Sequence, residues 1–281
     1  MITTEKINDV VVTVDKTKKD KDTRLAKGYK LFSEPYANIF ICAKKKSGKT
    51  VLLQNILKQT VGRDTQVIFF CSTIYKDDTY LGIMKMLKKM GINYHAYTSM
   101  KEMTENGVID NLAVLTETLI EMSKDDFNDD EDEEKQTDKS HLFYNIDEED
   151  EKGQAKQKKE KYIAPSYIII LDDLSTELKN TALVSLQKKN RHINSKIIVS
   201  SQHYNDMLPS SRLQQDYLIL FKNIPADKLK EIYQDISTPI SMDEFFKAYH
   251  LCTKEKFNFL YCDLVNDEFR MNFNKRLNFK K

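Results

Sequence analysis

Glycine is scarce in this sequence, with 7 among 281 residues, while lysine, asparagine and isoleucine are plentiful. That bias fits an AT-rich genome and carries no mechanical meaning. Cysteine is rarer still. Cys42, Cys71, Cys252 and Cys262 form no C-x-x-C pair, which excludes a zinc ribbon. Isolated thiols in apolar segments point instead to a reducing compartment. No apolar run approaches the ~18 residues needed to cross a bilayer, no secretory signal pattern opens the chain, and no internal repeat is visible. The expectation is a soluble, intracellular protein with no membrane partner.

What is present is a core and a strong segregation of charge. Apolar residues make up 40% of the chain and charged ones 31%, enough for one large α/β domain with appendages. Between Asp125 and Glu160 stand 15 acidic and 6 basic side chains, a local net of −9, which leaves +10 on the rest of a chain whose total is +1. A basic body carrying an acidic appendage suits an anionic partner such as nucleic acid, although surface lysines also serve simple solubility.

Residues 1–35 read as a basic N-terminal arm, with a strand pattern over 9–14 and a lysine-rich stretch from Lys16 to Lys30. From Asn38 the pattern alternates strand and helix, the signature of a layered α/β domain with a largely parallel sheet. Strands are expected at 38–42, 66–71, 94–97, 167–173, 196–201 and 217–221, and helices at 51–57, 80–90, 112–123 and 178–189. Residues 124–160 lose all apolar periodicity and read as a disordered acidic insertion. After 222 come two helices, 227–234 and 242–251, and a hairpin of segments 257–262 and 268–273, a small C-terminal α+β extension.

The chemistry concentrates at three places. Ala43, Lys44, Lys45, Lys46, Ser47, Gly48, Lys49 and Thr50 follow an apolar strand and run into a helix beginning at Val51. Strand, phosphate-sized loop and helix start make a P-loop: backbone N–H groups cradle phosphates, Lys49 reaches the β- and γ-phosphates, and the Thr50 hydroxyl sits on Mg²⁺. Ala43 replaces the usual first glycine, so its backbone must take an ordinary conformation. Four apolar residues then deliver Asp172 and Asp173 to the carboxyl edge of a central strand, where α/β sheets bind ligands. Asp172 is expected to hold the metal through water, and Asp173 to orient or deprotonate the attacking water. Strand 196–201 delivers Gln202 to the same edge as a sensor of the γ-phosphate, unless it merely ends the strand. Arg191 and Arg212 stand out against a lysine-rich background; either could stabilise transition-state charge in a neighbour's site or form a structural ion pair.

The order of these motifs, with Arg191-His192-Ile193-Asn194-Ser195 running into Ser201-Gln202-His203-Tyr204, Leu208-Pro209 and Arg212, resembles the poxvirus and giant-virus type of genome-packaging ATPase, within the FtsK–HerA group of P-loop motors. The resemblance covers roughly residues 36–222. It implies a RecA-like core with an extra strand between the two Walker strands, a ring-shaped homo-oligomer, and ATP-driven translocation of double-stranded DNA into a capsid. It further implies capsid proteins as partners, an infected-cell cytoplasm, virus factory or virion as location, and Arg191 or Arg212 offered to a neighbouring subunit.

Two other readings remain at this stage. A nucleotide kinase or helicase loader would share the P-loop, but a kinase needs an arginine-rich lid, and the only lid-length insertion is acidic. A nucleotide-gated scaffold without turnover would not need Asp172, Asp173 and Gln202.

Overall fold

Residues 24–105, 107–128, 143–144 and 162–279 are described by the computed structural model. The expected strand over 9–14, most of the basic arm and most of the acidic insertion lie outside the described residues. In chain order the elements are β1 Leu25–Ala26, β2 Asn38–Cys42, α1 Lys49–Thr60, β3 Gln66–Cys71, α2 Asp78–Lys89, β4 Tyr94–Tyr97, β5 Lys101–Thr104, β6 Gly107–Asp110 and α3 Asn111–Asn128. There follow β7 Phe143–Tyr144, β8 Tyr162–Ile163, β9 Tyr167–Asp172, α4 Thr181–Lys188, β10 Ser195–Ser201 and α5 Pro209–Arg212. The chain continues with β11 Tyr217–Phe221, α6 Ala226–Asp235, α7 Met242–Cys252, β12 Phe259–Asp263, β13 Glu268–Met271 and β14 Lys275–Arg276.

Strands β2, β9 and β11 are apolar along nearly their whole length and β10 is buried at every position, so both faces of their sheet must be covered. They are. Because side chains alternate across a strand, Ile39 and Ile41 face a core made with α1 and α2, while Phe40 and Cys42 face one made with α3, α4, α6 and α7. The result is three layers, helices on both sides of a nine-stranded sheet ordered β14-β13-β12-β11-β2-β10-β9-β3-β4.

Six neighbouring strands, β11 to β4 in that order, are parallel, and β12, β13 and β14 add on antiparallel. The sheet is therefore mixed. The C-terminal hairpin expected as an appendage instead lengthens the central sheet, since β12 pairs with β11 through Tyr217 to Phe221. Strand β10 lies between β2 and β9. Parallel pairing brings the carboxyl ends of β2, β9, β3 and β10 to one edge, which fixes where loop chemistry can converge.

Candidate functional site

Residues 43–48 span the gap between β2 and α1. Lys46 and Gly48 take positive φ, 62° and 92°, and the turn they make aims the first turn of α1 back over the sheet edge. Gly48 caps the helix without any side-chain hydrogen bond, and no acidic residue stands in the first turn. An uncapped N-terminus free of carboxylates keeps its donors and its positive dipole end for an anion. Ala43 is buried, with φ outside the positive range, and its N–H donates to the Ser201 carbonyl at 2.9 Å.

Lys49, first residue of α1, and Asp172, last residue of β9, meet. Lys49 Nζ is 2.7 Å from Asp172 Oδ1, and the carboxylate is 2% exposed. The other carboxylate oxygen, Oδ2, accepts a 2.5 Å hydrogen bond from the Tyr80 hydroxyl of α2. Burial, and then the neighbouring Asp172 charge, push the Tyr80 phenol well above its ordinary pKa, so it stays a donor. Asp173 follows in the left-handed region, φ 57°, a conformation that costs free energy for a residue with a Cβ and turns the chain sharply off the strand. The Ser72 hydroxyl donates to the Asp173 carbonyl at 3.0 Å and steadies that turn.

These groups share one cleft of about 520 Å³, walled by Lys44 through Val51 on one side and by Asp172 and Asp173 on another. The third wall comes from the turn between β3 and α2, with Thr73, Lys76 and Asp77, and from the first turn of α2, with Thr79 and Tyr80. Sequence reasoning missed this wall. Its signal was available, because any loop leaving the carboxyl end of a parallel strand beside Asp172 must border the site. The donor set fits a nucleotide and a hard divalent cation. Ser47 Oγ is buried without a hydrogen-bond partner, Lys49 carries positive charge, and the Thr50 and Asp172 oxygens are suitable ligands.

Three expected residues stand elsewhere. Gln202 lines a separate cavity of about 20 Å³ with Cys42, Ala43, His203 and the loop 222–225, and this shares only Lys44 with the main cleft. The reason is local: past β10 the chain folds into a 3₁₀ turn, Tyr204–Asp206, pinned by a short Ser201 to Asp206 hydrogen bond, which carries Gln202 toward α6. Arg212 is committed within its own chain. Its guanidinium pairs with Glu231 at 2.6 Å and Asp235 at 3.1 Å, bonds Asn205 at 2.8 Å, and lies over the Tyr204 ring at 4.8 Å. That ion pair ties α5 to α6, the structural alternative that the sequence left open beside a guanidinium offered to a neighbour. Arg191 is exposed in the turn before β10, at the opposite edge of the sheet from the cleft.

No protein-family model matches the chain. Over 102 residues, 35% of this chain and 40% of the relative's length, it is 31% identical to "Uncharacterized protein 075L" of Invertebrate iridescent virus 6. Among solved structures, the fold is similar to that of the genome packaging NTPase B204 from Sulfolobus turreted icosahedral virus 2 in complex with AMP. That match has a TM-score of 0.52 at 16% identity and covers 85% of this chain and 98% of that one. The complex of the same protein with AMPPCP gives 0.51 at 16% identity over 85% and 98% of the two chains. B204, described as the DNA-packaging ATPase of Sulfolobus turreted icosahedral virus, gives 0.51 at 18% identity over 85% and 97%. The chain thus shares its α/β fold with viral packaging NTPases.

Proposed function

We propose that this chain is an ATP-hydrolysing motor that moves double-stranded DNA, working as a homo-oligomeric ring to package a viral genome into a capsid. One observation carries the reading: a lysine at the start of the loop-capped helix reaches a buried carboxylate at the end of β9, 2.7 Å away, inside a single cleft. Likeness of fold to packaging NTPases supports the direction of the proposal, as does the viral relative.

In this reading residues 36–222 are the motor core, 1–35 a basic arm and 223–281 an extension whose strands complete the sheet. The cradle of residues 44–51 binds the triphosphate, and Lys49 exchanges its bond to Asp172 for one to the β- and γ-phosphate oxygens. Mg²⁺, held by Thr50 and by Asp172 through water, would neutralise the charge on those oxygens. Tyr80 keeps Asp172 aimed at the metal. Asp173 orients the attacking water and accepts its proton. Gln202 lines its small cavity together with Ala43 and Lys44 of the loop, so any sensing by its amide runs through that side of the loop. Arg191, remote from its own cleft, can reach a triphosphate only across a subunit boundary. Capsid proteins are the expected docking partners, and an infected cell or virion the setting.

The test is steady-state ATP hydrolysis by the full chain with and without duplex DNA, at low and moderate salt. Duplex should stimulate hydrolysis, the stimulation should fade as salt rises, and Lys49→Ala should silence turnover. Hydrolysis indifferent to duplex at every salt concentration removes the translocase. Unchanged turnover in Lys49→Ala removes the site.

A further inference from the structure

Phe257 lies against Gly48, the residue that caps α1. The turn 253–258 joins α7 to β12, and β12 begins at Phe259, paired with Phe221 at the end of β11. Strand β11 in turn runs parallel to β2, with Leu220 opposite Cys42. The turn is therefore brought to the same sheet edge as residues 43–48, on the side away from Asp172. Its ring reaches the loop itself: a Cβ added to Gly48 would stand 3.1 Å from Phe257 Cδ1. Glycine at 48 admits the ring as well as supplying the left-handed turn.

Three features set this side chain apart from the aromatics of the core. It is 56% exposed, whereas Phe221 and Phe259 beside it are buried. Its backbone takes φ 69°, an outlier for a bulky residue, and such strain persists only where surrounding structure holds it. That hold is visible: Lys222 Nζ donates to the Lys254 carbonyl at 3.0 Å, and the Phe259 N–H donates to Asn272 Oδ1 at 3.1 Å. Finally, the Lys256 ammonium stands 4.7 Å from the ring centroid, so the aromatic surface sits in an electropositive setting suited to a phosphorylated ligand. A side chain needed only to pack against Gly48 has no reason to leave more than half its surface in water.

We infer that Phe257 is the platform on which the base of a bound nucleoside triphosphate stacks, an inference that rests on the proposed nucleotide site. Every base has a π-face, so such a platform adds affinity with little discrimination between purines. The phosphates are held by the loop and the base by the C-terminal extension, which makes residues 254–258 part of the site and not an appendage to it.

The chain has no tryptophan, so Phe257→Trp installs a single tryptophan at this point, excited selectively at wavelengths above the absorption of the 14 tyrosines. ATP should quench its emission, and inorganic tripolyphosphate, which has no base, should not. In parallel, Phe257→Leu keeps apolar bulk against Gly48 but removes the π-face. It should weaken ATP binding about ten-fold while leaving tripolyphosphate binding unchanged, and Phe257→Tyr should restore ATP binding. Equal emission with the two ligands, or a Leu variant that binds ATP as the wild type does, overturns the platform. Parallel weakening of both ligands also overturns it, since the ring then only shapes the loop. A wild-type chain that binds neither ligand instead brings down the nucleotide site, and the platform with it.

Discussion

At the scale of single residues, the arrangement around Asp172 separates binding from positioning. The carboxylate is buried and has two partners, Lys49 on one oxygen and the Tyr80 hydroxyl on the other. Lys49 must leave when phosphate arrives, but Tyr80 need not. Tyr80→Phe deletes one donor and leaves a buried charged oxygen unpaired, a loss of roughly 1–3 kcal/mol. The expected outcome is about a ten-fold fall in kcat with little change in KM, and a higher Mg²⁺ concentration for half-maximal rate. A magnesium titration superimposable on the wild type would remove the positioning role. Asp173 differs in kind, since it stands free of that network at the head of a strained turn. Asp173→Asn should bind ATP as well as the wild type and hydrolyse it at least a hundred-fold more slowly, on the order expected for loss of a general base. Binding that falls together with turnover would show that the variant disrupts the turn instead.

At the scale of elements, the sequence made the strands legible and their neighbours much less so. Runs such as Ile168 to Leu171 and Ile197 to Val199 are apolar on both faces, and only a doubly covered strand tolerates that. Helix starts were read less closely: expected at 80 and 178, they fall at Asp78 and Thr181, where Asp77 and Asn180 accept the N–H of Thr79 and Ala182, each at 2.7 Å. The β5–β6 hairpin escaped notice because its residues are mostly exposed and show no apolar alternation. Which side of β2 would receive Gln202 depends on a turn after β10, and no periodicity encodes a turn's direction. Arg212 was ambiguous for a related reason, because its partners Glu231 and Asp235 sit on α6, beyond an intervening strand. That tie has a pH signature. Arg212, with help from Asn205, holds the Glu231 carboxyl down at about 2 against an ordinary 4.5. A depressed carboxyl stabilises the fold above its unfolded value and loses that contribution as pH falls toward its folded value. Glu231→Gln should therefore melt below the wild type at pH 7, and the gap should narrow steadily between pH 4.5 and 2.5. Glu231 is partly exposed, so solvent screening keeps the gap small. A gap independent of pH would mean that the pair contributes through packing alone.

At the scale of the whole molecule, the parallel sheet has two different edges. The carboxyl edge carries the cleft, with Lys49, Asp172 and the Phe257 turn. About 23 Å away along the seven residues of β10, at 3.3 Å per residue, lies the amino edge. There α4 ends in Lys188 and Lys189, both exposed, with Arg191 exposed just beyond. That edge lies away from the cleft, so Lys188 and Lys189 face solvent apart from the proposed nucleotide site. With +10 on the chain outside the acidic segment, a polyanion is the partner that charge favours. If Lys188 and Lys189 each neutralise one phosphate of duplex DNA, each contributes about 0.9 to the slope of log affinity against log salt. Lys188→Ala with Lys189→Ala should then flatten that slope by about 1.8, weaken duplex binding most at low salt, and leave DNA-free ATP hydrolysis unchanged. Filter binding or anisotropy across a salt series reads the slope directly. An unaltered slope in the double variant would move the DNA path away from the amino edge, toward the lysines of the N-terminal arm. A loss of DNA-free hydrolysis would contradict the independence of the two edges, on which the proposed division of labour between ATP and DNA depends.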